Sequence, residues 1–131
     1  MKAIFISFLI VFSSLSAANK IDLEANMKNM GLAYKNSVRA TDLATFNTAI
    51  DEFIELLETA KTADFKQHKT ASLEGLDKVI NQAKQAKQLA TTRGLEAAKS
   101  PLKSIEELRK KYHALHEPPG FWELLFGKKS Y

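Results

Sequence analysis

The chain has no cysteine among its 131 residues. That excludes a disulfide framework, a thiol nucleophile, a cysteine-ligated zinc finger and any cofactor attached through a cysteine thioether. Glycine (5) and proline (3) are too scarce for a linker-rich or collagen-like chain. The hairpin dipeptides Asn-Gly and Asp-Gly are missing and β-branched residues are dispersed, which argues against a sheet. No Lys/Arg run is long enough to track a phosphate backbone, so nucleic acid is not an expected partner. What remains, 45% hydrophobic and 26% charged, is the composition of an ordinary globular chain.

Long apolar runs are also lacking, except at the N-terminus. There Met1-Lys2 makes a short basic start, Ala3–Phe12 is apolar but for Ser7, and Ser13–Ala18 turns small and polar. This is the three-part layout of a secretory signal peptide. Ten to twelve apolar residues as a helix reach about half-way across a ~30 Å hydrocarbon core, so a permanent anchor is not expected. Residues 1–18 are therefore read as a leader cleaved near Ala18, and loss of Lys2 with it lowers the formal charge from +4 to +3.

Helix formers dominate the rest. From about Asp22 to Arg39, Leu23, Met27, Met30 and Tyr34 recur at spacings of four, three and four. A second stretch opens at Thr41-Asp42, a good capping pair, and carries Leu43, Phe46, Ile50, Phe53, Leu57 and Ala60 in unbroken steps of three and four. The polar segment Lys61–Ala71 reads as the longest loop. A third helix is expected from about Ser72 to Thr92, with Leu73, Leu76, Ile80, Ala83 and Ala90 inward and Gly94 suited to its end. A fourth runs from about Leu95 to Glu117 with Leu102, Ile105, Leu108, Tyr112 and Leu115 inward. Pro101 either kinks it or, with Ser100 as cap, marks its start. Four such helices joined by short connections predict an all-α fold, an antiparallel up-down-up-down four-helix bundle over residues 19–117.

The last fourteen residues, 118–131, differ. Pro118-Pro119-Gly120 stops the fourth helix, and Phe121, Trp122, Leu124, Leu125 and Phe126 follow closely. Such a tail either folds back as an apolar cover or offers a weak contact to a membrane surface or a protein.

In an antiparallel bundle the start of helix one and the end of helix four share one end. Met27 lies about five residues into the first helix and His113 about four from the end of the fourth, so both fall within roughly 6–9 Å of that end. A thioether and an imidazole facing one another suit axial ligation of haem iron, the sulfur favouring the ferrous ion. The same residues have ordinary uses: methionine fills gaps in cores, and a histidine near a helix end satisfies carbonyls. No Glu-x-x-His spacing recurs on two helices, so a di-iron centre is not expected.

The surrounding residues carry a resemblance. Asp22-Leu23-Glu24-Ala25-Asn26-Met27, continuing to Leu32, closely resembles the opening of mature cytochrome b562 proteins. Leu108-Arg109-Lys110-Lys111-Tyr112-His113 resembles their closing haem-binding helix, and Gly75-Leu76-Asp77 the start of their third. The resemblance covers nearly the whole mature chain to Glu117. It implies a periplasmic electron-transfer protein with one non-covalent haem b, its iron held by Met27 and His113. Arg109 matches an arginine lining the haem pocket, and Leu76 an aromatic position that packs on the haem. Related c-type members have cysteine just before the histidine; Tyr112 stands there instead, implying haem that can dissociate. Where the family usually has a second arginine near a propionate, this chain has Glu117, for which Lys110 or Lys20 could compensate.

Met30, three residues beyond Met27, and His116, about 60° around the helix from His113, compete for the ligand roles. His68 falls in the long loop. The expectation is a monomeric carrier, not an enzyme, serving redox partners the sequence does not identify. The alternative is a haem-free periplasmic adaptor working through Phe121–Phe126.

Overall fold

The computed structural model describes residues 21–65 and 69–115, with side chains as far as Lys111. Four helices account for most of it: α1 (Leu23–Arg39), α2 (Leu43–Ala60), α3 (Lys69–Arg93) and α4 (Lys99–Leu115), the last preceded by a 3-10 turn at Leu95–Ala98. Among the described residues there is no strand. The leader, His68 and the 118–131 tail lie outside them.

Local chemistry sets the helix starts. The Asp22 carboxylate accepts the Ala25 N–H at 3.0 Å, and the Asp42 carboxylate accepts the Thr45 N–H at 2.8 Å and the Thr45 hydroxyl at 2.8 Å. Each satisfies a donor that has no partner within the first turn. The hydrogen bonds from Thr45 hold the Asp42 carboxyl below its ordinary range. Because the folded state favours the ionised form, the cap contributes stability above a pH of about 4 and loses it as pH falls through the lowered value. Asp42→Ala should therefore lower the urea midpoint at pH 7, and the gap from the unsubstituted protein should narrow at pH 3.

Pairings between helices fix their directions. Asn26 Nδ2, early in α1, donates to the carbonyl of Leu56, late in α2, at 3.0 Å; further along α1 the Tyr34 ring meets that of Phe53 at 5.7 Å. Between α2 and α3, Lys87 Nζ lies 2.6 Å from Asp51 and Lys61 Nζ 2.6 Å from Asp77. In both cases residue numbers rise on one helix as they fall on the other, so the neighbours run oppositely. These surface ion pairs fix alignment more than they stabilise. Asp77 also holds the Lys61 ammonium above its ordinary pKa.

The core is a seam of aromatic and aliphatic side chains. Phe46, Ile50, Phe53 and Leu57 of α2 face Met27, Met30 and Ala33 of α1, Leu76 and Val79 of α3, and Leu102 and Ile105 of α4. Alanines at 83, 86 and 90 line the second half of α3, where small side chains let neighbours approach closely. The sequential neighbours pack tightly, whereas α1 and α4 approach one another less closely. Among the described residues, the Tyr34 hydroxyl ties the two, donating to the Leu102 carbonyl at 3.0 Å.

Four expectations need correcting. Leu43 is exposed, in the first turn of α2 just past the turn from α1. Leu73 is only partly buried, one turn into α3. Helix α3 opens at Lys69 rather than Ser72, since Lys69, Thr70 and Ala71 contain no residue that opposes a helix. Pro101 neither kinks α4 nor follows a Ser100 cap; it sits in the first turn of a helix opening at Lys99, where a missing N–H costs no bond. Gly94, with φ +94°, turns the chain between α3 and the 3-10 turn, in a region side chains rarely enter.

Candidate functional site

The end of the bundle formed by the start of α1, the end of α2, the start of α3 and the end of α4 gathers the candidate residues. Met27 is 1% exposed and Met30 fully buried, three residues deeper on the same face. Their sulfurs differ in what they already do. Asn26 Nδ2 donates to the Met30 sulfur at 3.3 Å, and the same amide holds Leu56. A sulfur engaged in this way is a poorer candidate for a metal than that of Met27. Leu76 is fully buried two turns into α3. It forms part of the apolar wall at this end.

Arg109 is the buried cation of α4, 8% exposed. Its Nη2 donates to Glu106 Oε1 at 2.7 Å, and its Nε donates to both carboxylate oxygens, at 3.1 and 3.2 Å. Lys110 is exposed. His113 lies in the last turn of α4, and its side chain, like Glu117, His116 and Lys20, falls outside the described residues.

Tyr34 completes this face. Its hydroxyl pKa is pushed up to about 12, chiefly by burial and then by the Glu106 carboxylate, with Arg109 opposing the rise. The hydroxyl stays protonated and donates to Leu102, so it acts as a fixed clasp between α1 and α4. That clasp also sets their relative level. Met27 is seven residues before Tyr34 and Arg109 seven after Leu102, which puts both about 10 Å from the clasp; His113 falls about one turn further out.

Sequence reading did not single out Asn26, Glu106 or the Tyr34 hydroxyl. Each had a faint signal: Asn26 stands four residues from Met30, and Glu106 three from Arg109, both spacings that share a helix face. Nothing local announces the bond from Tyr34 to Leu102, sixty-eight residues away.

The family model for cytochrome b562 matches residues 22–117, from the cap of α1 to just beyond the end of α4. The chain belongs to the cytochrome b562 family. That family consists of four-helix b-type haem proteins that transfer electrons. Neither the curated proteins nor the solved structures gave a match. Among the described residues, no helix is long and apolar enough to cross a membrane.

The residues present fit a haem of the cytochrome b562 type. A soft sulfur donor is buried in the apolar interior, and Asn26 engages the competing sulfur. A buried cation on α4 is already charge-compensated.

Proposed function

We propose that this protein is an exported single-electron carrier of the periplasm, binding one b-type haem non-covalently with Met27 and His113 as axial ligands. The observation that carries the reading is the buried Met27 thioether, set at the start of α1 in a chain whose family match spans all four helices. Every Cα–Cβ bond tilts toward the N-terminus of its helix, so residues about one turn apart on opposed helices reach toward a common level. Met27 on α1 and position 113 on α4 lie toward the same end of the bundle, which supports pairing them.

Bound haem supplies a metal that takes up and releases one electron. The chain's own residues do the rest. Met27 contributes a sulfur that favours the ferrous ion, and His113 a nitrogen donor. Leu76 and the neighbouring aliphatics exclude water, which keeps the site apolar. Arg109 lines the pocket with its charge met by Glu106. With Met27 and His113 both given to the iron, no position would be left for substrate, which suits electron transfer rather than turnover. Lys110, exposed on α4, is one candidate to compensate a propionate where Glu117 replaces the family arginine. Export rests on residues 1–18.

Titrating the haem-free protein with haemin tests this. Saturation at one equivalent is expected, with low-spin absorption bands that sharpen on reduction. A protein that gives no such bands is not a cytochrome, and the adaptor reading through Phe121–Phe126 then takes its place.

A further inference from the structure

The ion pair of Glu106 and Arg109 does something the ligand set leaves unexplained. Two nitrogens of one guanidinium are committed to one carboxylate, three residues away on the same helix. The arginine side chain is 10% exposed and that of the glutamate 31%. An unpaired guanidinium so deeply buried would be strongly disfavoured, so the carboxylate determines where this cation rests. Tyr34 feels both charges, with opposite effects on its hydroxyl, so the pair faces the side of α4 on which α1 lies.

The location matters more than the pairing. Arg109 precedes His113 by four residues, about 40° around the helix and about 6 Å along it. By helical rise from the Tyr34 clasp its backbone position is about level with that of Met27, and its guanidinium turns back toward Glu106. Charges in such a poorly solvated place are weakly screened. Ferric and ferrous iron differ by one unit of charge. A bare cation here would therefore disfavour the ferric state, and an accompanying carboxylate would cancel that bias.

We propose that Glu106 is a positioning residue that sets the reduction potential, by clamping Arg109 and neutralising a cation beside the iron-binding face. The inference rests on the haem reading above and adds to it a residue that line of reasoning did not need.

The test is a spectroelectrochemical titration of the haem-loaded protein and of Glu106→Gln, Arg109→Gln, Glu106→Asp and the double variant Glu106→Gln/Arg109→Gln. Absorption spectra come first: low-spin bands in the unsubstituted protein uphold the haem reading separately, and their absence overturns both. Glu106→Gln should raise the midpoint potential, because it removes the negative charge paired with Arg109. Arg109→Gln should lower it, probing the same pair from the other side should the first variant not fold. The double variant and Glu106→Asp should both return close to the unsubstituted value, since each restores the charge balance. A potential that does not rise in Glu106→Gln overturns the proposal. So does a double variant displaced as far as the single one, or a Glu106→Asp shift as large as that of Gln, which would make the role one of packing.

Discussion

Substituting His113 by alanine should abolish the six-coordinate low-spin spectrum and weaken haem binding by more than about tenfold, since even residues outside the ligand set cost 10- to 100-fold in metal affinity. Met27→Ala should also open a coordination position, but with the imidazole still in place the haem should be retained better. Its potential should fall, because the thioether is the ligand that favours ferrous iron. The spectrum of each purified variant, reconstituted with one equivalent of haemin, measures the first effect, and a redox titration the second. Met30→Ala and His116→Ala serve as references. Both should keep low-spin bands, since the Met30 sulfur is engaged by Asn26 and a spacing of three from His113 is expected to take His116 off the same face. Retention of six-coordination after Met27→Ala or His113→Ala would reassign that ligand.

The largest effect on stability is expected at Phe53. This side chain is fully buried in α2 and packs against the ring of Tyr34 at 5.7 Å. Truncation to alanine removes most of a ring from a seam to which all four helices contribute, and the space cannot collapse when the helices meet it from opposite sides. A loss of about 3–5 kcal/mol is expected. A domain of this size has roughly 5–15 kcal/mol in all, so the variant should unfold at a far lower urea concentration. Haem should recover part of the loss, because a ligand that binds only the folded state stabilises it. Urea unfolding curves with and without haemin test both statements.

Much of the architecture could be read from spacing alone. In α2 the steps of three and four from Phe46 to Ala60 name its buried face, because one continuous apolar stripe admits one orientation. The rule failed at Leu43, in the first turn of α2, where the stripe continues in sequence but the side chain is exposed. In α3 the pattern pointed to Ile80 and Ala83 but passed over Val79 and Ala86, which are also buried. A helix enclosed on several sides has a wider apolar face than one stripe.

The candidate site divides in the same way. Met27, Leu76 and Arg109 follow from helical angle and motif, and each is buried. Glu106 does not, since a glutamate on a helix normally faces water and only the buried partner three residues on gives it another use. Asn26 and the Tyr34 hydroxyl act on carbonyls of other helices, and those contacts exist only after the chain has folded.

The seam between α1 and α4 has a further bearing on assembly. These are the first and last of the described helices, so a contact across that seam closes the longest loop among them and is entropically the hardest to make early. The α2–α3 pair can form without it. A prosthetic group lodged in the seam would then be captured late, after the inner hairpin has set, and would act as the final rivet between the two ends of the chain.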